Sequence, residues 1–338
     1  MATPGGTNVV NSISQRWIMP TLVDQIYNSN LLTFRLIRRN KKILQGGLQI
    51  EVPLIYGTFT NGGAYQGFDL LDVSPNDTVK NGAWDWKQAY AAVTVDGLTL
   101  IRSDSPEAIV NFLSAYFEIA QMDMIDKLGT QMWSSGITVK QIDGIDMAVD
   151  DGSHAWTGAA STGTTAATYG GLARASNTFW SSQVTASVGT LTLSTMQTMF
   201  GNCTKGARHP TLIVTDQTRY NSLWALYQLV NSNSNQPLPA QPTGTDEILG
   251  QAGFTNLLFN NVPVVVDDHI PGNGVASQGH MYFLNEDYFD LYVNPRADFK
   301  MRDFEVSINQ DAMTSLILWA GNLICKNTSR QGKLVGIT

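Results

Sequence analysis

Leu48-Gln49-Ile50-Glu51-Val52-Pro53-Leu54-Ile55-Tyr56 partly alternates apolar and polar residues and stops at Gly57, the pattern of a β-strand with one covered face. The 25 residues from Gly57 to Asn81 are rich in Gly, Asp, Asn and Ser, have few aliphatic residues, and hold two turn signals, Asn61-Gly62-Gly63 and Ser74-Pro75-Asn76-Asp77. Strand character returns with Trp84, Trp86, Gln88 and Tyr90, then Val93-Thr94-Val95 and Leu98-Thr99-Leu100. Two strands joined by so long a turn-rich segment predict a flat excursion from the body, and loops of that length inside compact domains are usually functional. Trp84 and Trp86 stand two apart, so both are expected on one face. A thin hairpin has no core of its own, so that face is expected to be covered by another chain.

Beyond the hairpin, Ser105-Pro106-Glu107 is a helix start: an N-cap, a proline at the first helical position and an acid in the first turn. The predicted helix runs to about Trp133. Its expected apolar stripe is Ile109, Phe112, Leu113, Tyr116, Ile119, Ala120, Met124, Leu128 and Met132. At 1.5 Å per residue it is roughly 42 Å long.

Ahead of the hairpin, Pro20 to Arg39 has an interrupted helical pattern, with Asn28-Ser29-Asn30 as a break. It reads as two short helices, either an ordinary domain opening or an arm that packs on other subunits. Residues 1–45 hold Arg16, Arg35, Arg38, Arg39, Lys41 and Lys42 against Asp24, a net +5. Residues 312–338 hold Lys326, Arg330 and Lys333 with no acid, a net +3, so the total of −7 leaves −15 in the middle. Such a split points to tails that dock on acidic surface, their own or a neighbour's, in preference to a DNA-binding tail, because Leu36 and Ile37 interrupt the basic run.

After the helix, residues 136–273 have mixed α/β character. Residues 150–190, crowded with Gly, Ala, Ser and Thr, are expected as irregular surface loops. Ser194 is expected to cap a helix over about 195–205, and Asp216 a second helix carrying Tyr220, Leu223, Trp224, Tyr227 and Leu229. Strands are predicted at 211–214 and 262–266, which suits a small sheet with helices packed on it. Strands are also predicted at 281–284, 288–293, 299–308 and 315–326, with a turn at Asn285-Glu286-Asp287.

The chain of 338 residues has 14% charged residues, fewer than the ~25% of a typical domain, as befits a surface partly covered by partners. No run of ~18 apolar residues exists, so no membrane span is expected, and the first residues lack the features of a signal peptide. Cys203 and Cys325 stand apart in no ligand spacing, which fits a reduced cytoplasmic compartment without disulfides. Asp267-Asp268-His269 is the most enzyme-like cluster, but consecutive residues at a strand end point in alternating directions, so a solvated turn is the favoured reading. Asp143, Asp146, Asp150 and Asp151 lack the glycine and terminal glutamate of a calcium loop and read as polar turns. No nucleophile elbow or phosphate loop is present, and Cys203 reads as a small buried residue. No catalytic residue, cofactor or metal is expected.

The order of these elements resembles the major capsid protein of tailed bacteriophages, an α+β fold shared with encapsulin shells and the capsid floor of herpesviruses. Local wording adds to the resemblance: Ala83-Trp84-Asp85-Trp86-Lys87-Gln88-Ala89-Tyr90, Asn261-Val262-Pro263-Val264-Val265-Val266-Asp267, Tyr282-Phe283-Leu284-Asn285 and Ile317-Leu318-Trp319-Ala320-Gly321-Asn322-Leu323. It implies an N-terminal arm at 1–45, an extended β-hairpin loop at 46–100, a peripheral domain at 101–136 and 276–338 with a spine helix at about 105–133, and an axial domain at 137–275. The implied role is non-catalytic: many copies, as hexamers and pentamers, tile an icosahedral shell around a double-stranded DNA genome. The implied location is the virion, assembled in the bacterial host cytoplasm, with portal and decoration proteins as partners, DNA enclosed without specific binding, and no membrane. Intersubunit contacts are expected at Arg35, Arg38, Arg39, Lys41, Lys42, Tyr65, Phe68, Lys80, Trp84, Trp86 and Lys87.

Some relatives carry an N-terminal scaffolding segment; here the arm begins almost at once, so a separate scaffolding protein is expected. Some also join a loop lysine to a peripheral-domain asparagine. Lys80 and Lys87, with Asn294, Asn309 and Asn322, supply the residue types, but a buried carboxylate is also needed, and no crosslink is expected. The alternatives are an encapsulin-type compartment shell and, less favoured, a metal-dependent hydrolase using Asp267, Asp268 and His269.

Overall fold

The computed structural model describes residues 31–97, 106–134, 139–152, 167–232, 243–244, 256–272, 278–306 and 310–338. The expectations for residues 1–30, the Asn28-Ser29-Asn30 break and the Ser105 cap lie outside them.

In chain order the elements are α1 (Leu31–Asn40), β1 (Lys41–Ile43), β2 (Gln49–Ile55), β3 (Val79–Asp85), β4 (Lys87–Asp96), α2 (Pro106–Met132), α3 (Ile145–Ala148), β5 (Thr168–Tyr169), β6 (Leu172–Ala173) and β7 (Gln183–Thr185). Then follow α4 (Leu193–Cys203), β8 (Leu212–Thr215), α5 (Gln217–Ser232), β9 (Thr243–Gly244), β10 (Asn256–Phe259), β11 (Val262–Val266), β12 (Gly279–Leu284), β13 (Phe289–Val293), β14 (Lys300–Met301), β15 (Glu305–Val306), β16 (Ala312–Cys325) and β17 (Gly332–Ile337).

β2 and β3 form the expected hairpin, antiparallel from Gln49 opposite Asp85 to Ile55 opposite Val79. The predicted second strand is in fact two. At Trp86 the chain leaves the hairpin, and β4 runs on antiparallel to β16, from Lys87 opposite Gly321 to Asp96 opposite Ala312. Its buried face, Ala89, Ala91, Val93 and Val95, is small or β-branched and lies under α2. β16, 14 residues long, is the axis of a six-stranded sheet that also holds β1, β13, β14 and β15.

α2 runs without a break as predicted, but its buried stripe differs. Phe117, Ala120, Gln121, Met124, Ile125, Leu128 and Met132 are buried, whereas Tyr116 and Ile119 are exposed. Apolar residues lie on two flanks of this helix, so periodicity alone could not choose between them; Phe117 is fixed inward by an edge-on contact with Phe304 at 5.9 Å between centroids.

The second sheet has seven strands in the order β7-β17-β12-β8-β11-β10-β9. Its central strands are buried on both faces, which makes them continuous apolar runs rather than alternating ones. Ile213, Met281, Phe283 and Val264 pack with Met196, Met199 and Cys203 of α4 and Leu223 of α5. The alternate residues Leu212, Val214, Tyr282 and Leu284 enter the larger core with Trp133 and Ile145. Strands β12 and β17 lie beyond residue 276 yet belong to this sheet, so the returning segment is shared between both sheets and does not serve the first alone.

Several local expectations are corrected. Thr192, not Ser194, caps α4: its Oγ1 accepts the Thr195 N–H at 3.2 Å, while Ser194 already lies inside the first turn. Asp216 caps α5 as expected, accepting the Arg219 N–H at 3.0 Å. The 299–308 strand is broken into β14 and β15; between them the Arg302 N–H still donates to Leu316 O of β16 at 2.8 Å, while its carbonyl accepts the Ser315 hydroxyl at 2.7 Å. β17 was not anticipated. Residues 167–185 are no loose surface loop: Tyr169, Arg174 and Trp180 are buried, and Trp180 Nε1 donates to the Tyr169 carbonyl at 3.0 Å.

Candidate functional site

Two surfaces carry the residues expected at contacts between copies, the basic segment 31–45 and the hairpin. In α1, Leu32 and Leu36 are one turn apart and buried, and Arg35 lies between them. Arg35 is 1% exposed, and its Nε and Nη2 donate to the two carboxylate oxygens of Glu286, each at 2.7 Å. This fork-on-fork pair is the strongest ionic contact in the docking. Glu286, also 1% exposed, further accepts from Arg39 at 3.2 Å and from the Thr211 hydroxyl at 3.2 Å. Arg39 bridges on to Asp287 at 2.8 Å, Lys41 pairs with Asp298 at 2.6 Å and Lys42 with Asp290 at 2.9 Å. The Asp290 hydrogen bond raises the Lys42 pKa. β1 then adds in parallel to β13. The basic segment 31–45 therefore docks on its own chain's acids; of its predicted contact cations Arg38, Arg39 and Lys42 are exposed, and Arg35 and Lys41 are buried or partly buried.

The hairpin base is likewise held by its own body. Trp84 is 2% exposed, edge-on to Tyr169 at 5.6 Å. Its indole lies where a Cβ on Gly170 would stand, and Gly170 has φ +57°, so glycine is required there twice over. Ala83 N–H donates to Gly170 O at 3.0 Å, and Lys80 Nζ donates to Asn177 Oδ1 at 2.7 Å. Trp86 is half-buried with its indole N–H on Gly47 O at 3.1 Å. The expectation that the tryptophan face awaits another chain is thus corrected for Trp84: residues 167–180, read from sequence as loose loop, supply its cover.

What the body does not cover is the loop beyond the base. Phe68 and Leu70 are as exposed as in an isolated peptide (107% and 102%), and Phe59, Tyr65, Leu71 and Val73 are exposed with them. Residues 57–78 contain Asp69, Asp72 and Asp77 and no cation. Tyr65 and Phe68 are among the residues expected at contacts; Leu70, Leu71 and Val73 were not named, although they are exposed alongside them in the run Phe68-Asp69-Leu70-Leu71-Asp72-Val73.

Lys87 and Asn322 meet at one carboxylate. Asn322 Nδ2 donates to Asp143 Oδ2 at 2.8 Å, and Lys87 Nζ lies 3.9 Å from Asp143 Oδ1. The carboxylate that such a crosslink would also need is therefore present, and burial raises its pKa. Lys87 nonetheless donates to Val139 O at 2.7 Å.

The remaining acids serve the interior. Lys333, almost fully buried, donates to Asp146 at 2.9 Å and Asp150 at 3.0 Å, and Tyr282 donates to Asp146 at 2.7 Å. Burial opposes both charges, but Lys333 holds the Asp146 pKa down and the two carboxylates hold the Lys333 pKa up. Asp146 and Asp150 are thus partners of a buried ammonium rather than polar turns. Burial drives His280 down to about 4, leaving it neutral.

Asp267 is buried and accepts the backbone N–H of His269 at 2.9 Å; the ring Nε2 of His269 lies 3.0 Å from Asp126 on α2. Asp267 foremost, and then Asp126, raise the His269 pKa to about 9 against its burial. A protonated imidazole has no lone pair for a metal, so this trio clasps α2 to the turn after β11. Among the described residues no group of three or more His, Cys, Asp or Glu is disposed to hold a metal ion, and no described helix is long and apolar enough to cross a membrane. Burial pushes the thiols of Cys203 and Cys325 up to about 12, unsuited to nucleophilic chemistry.

No family model matches the chain, and no curated protein matches it by sequence. Solved structures do match. The capsid asymmetric unit of cyanophage A-1(L) superposes with a TM-score of 0.60 at 16% identity, covering 92% of this chain and 93% of that one. The capsid of a native gene transfer agent (GTA) particle gives 0.56 at 11% identity over 90% of each chain. The SrpI encapsulin of Synechococcus elongatus PCC 7942 gives 0.52 at 10% identity, covering 89% and 86%. Across almost its whole length, this α+β chain has the fold of these cyanophage, gene-transfer-agent and encapsulin shell proteins.

Proposed function

We propose that the chain is a major capsid protein whose copies assemble into the icosahedral shell of a tailed bacteriophage around its double-stranded DNA. The observation that carries this is the loop at 57–78, which presents at least six large apolar side chains to water while its base is anchored to the body. Burying such side chains is worth ~1.5–3 kcal/mol each. Covering the loop on a neighbour is then worth on the order of 10 kcal/mol per subunit before ordering costs. In this reading residues 46–100 are the extended loop, α2 the spine helix of a peripheral domain, and the seven-stranded sheet with α4 and α5 the core of an axial domain. Residues 1–45 are the arm, which reinforces its own subunit over 31–45. Hexamers and pentamers, a separate scaffolding protein, a portal, a virion location and assembly in the host cytoplasm belong to the same proposal. The acidic body suits a container that holds DNA without binding it. No catalysis, cofactor or metal enters this role.

An encapsulin-type compartment is the second reading, favoured by the SrpI likeness over most of both chains. Electron microscopy of particles purified from producing cells separates them. Regular closed shells containing DNA support the capsid reading, shells with protein cargo support the compartment, and soluble monomers at high concentration contradict both.

A further inference from the structure

Beside the hairpin base lies a cavity of about 270 Å³ whose walls combine aromatic surface with positive charge. Tyr56 and Phe179 stack at 5.0 Å on one side, and Lys205, Lys326 and Arg330 stand around it. Lys326 is paired with Asp290. The other two cations are not so neutralised. Among the described residues, Lys205 and Arg330 have no carboxylate within ion-pair distance, and Lys205 Nζ reaches only the Ser329 hydroxyl, at 3.4 Å. Arg330 donates Nη1 to Lys205 O at 3.0 Å and lies over the Tyr288 ring, while its Nε is buried without a partner. Buried donors without acceptors are costly, and in a chain of net charge −7 two uncompensated cations beside an aromatic wall mark a site for an anionic, partly apolar ligand.

The chain itself carries such a ligand. Phe68-Asp69-Leu70-Leu71-Asp72 alternates apolar and acidic residues, and residues 57–78 carry three aspartates without a cation. The tip is not serving its own cavity, because Phe68 and Leu70 stand fully exposed. We propose that this cavity receives the loop tip of a second copy, with Phe68 or Leu70 against Tyr56 and Phe179, and Asp69 and Asp72 on Lys205 and Arg330. The contact runs from the tip of one hairpin to the base of the next. It is therefore head-to-tail and repeats around a ring, the heterologous kind of interface that closes into hexamers and pentamers. This rests on the shell-forming reading and adds the receptor to it.

Lys205→Glu, at an exposed position, is the first test, with Asp69→Lys/Asp72→Lys as its counterpart. Each is expected to lower particle yield about tenfold or more, and particles mixed from both altered surfaces in one chain are expected to recover. Leu70→Cys combined with Lys205→Cys is expected to give a disulfide-linked ladder from oxidised particles, since the two native thiols are buried. Wild-type shells alongside undiminished Lys205→Glu shells and no ladder would overturn the pocket while leaving the shell reading intact. A wild-type chain that forms no shells would overturn both. If shells form normally but Lys205→Glu abolishes binding of short DNA duplexes by free subunits, the cavity takes a phosphate and the proposal falls.

Discussion

Replacing Glu286 tests whether the basic arm segment is held by one buried carboxylate. Arg35 and Glu286 are each 1% exposed, and the two 2.7 Å bonds between them are joined by one from Arg39 at 3.2 Å. Glu286→Ala leaves the Arg35 guanidinium buried opposite a hole. Breaking a buried pair by removing one partner costs ~3–5 kcal/mol. That is a roughly hundredfold to several-thousandfold shift in the docking equilibrium, at ~1.4 kcal/mol per factor of ten. The segment has a cheaper route than global unfolding: α1 and β1 can lift off β13, so the loss is expected first as local opening. Limited trypsin digestion at Arg38, Arg39, Lys41 and Lys42, followed by mass spectrometry, reads that opening, and urea denaturation reads any global part. Glu286→Gln keeps the shape and one acceptor oxygen but loses the charge, and is expected to fall between. A loss below about 1 kcal/mol with the segment still protected would refute the reasoning, since the pair would then not be holding the arm.

Trp84→Ala is expected to destabilise the chain by ~3–5 kcal/mol in denaturant titration, because it empties the space against Tyr169 and Gly170. Trp84→Phe is expected to cost much less, since the indole N–H it removes has no acceptor among the described residues. Proton NMR should find His269 titrating near 9, and Asp126→Asn should move that midpoint down. Because the folded pKa is raised, the stabilisation by this clasp is complete below the ordinary histidine value of ~6.5 and is lost as pH rises through about 9. An unaltered midpoint in Asp126→Asn would show that Asp126 plays no part. The intact mass of the assembled subunit is expected to equal that of its sequence, with no ammonia lost between Lys87 and Asn322, because Lys87 is directed at Val139 O; a covalent species would contradict this.

The hairpin and α2 were legible because they obey local rules: alternation bounded by turn residues, and a capped apolar run. What local rules could not supply was the far side of each contact. The cover of Trp84 comes from Tyr169 and Gly170, about 85 residues onward in a stretch whose small residues conceal three bulky ones. β17 is short and carries Lys333, a residue that reads as exposed unless Asp146 and Asp150 are known to meet it. The buried side of α2 depended on Phe304, almost two hundred residues away. Among the predicted contact residues, Arg35, Lys41 and Lys87 find partners within their own chain that no local pattern could reveal. Tyr65 and Phe68 stay exposed.

Hydroxyl-radical footprinting of free subunits and of purified particles, read at Tyr65, Phe68, Leu70 and Leu71, measures whether copies of the chain cover this loop. Several-fold protection of these four side chains on assembly is predicted, with Trp84 equally shielded in both states. Equal labelling of the loop in free and assembled protein would contradict the account.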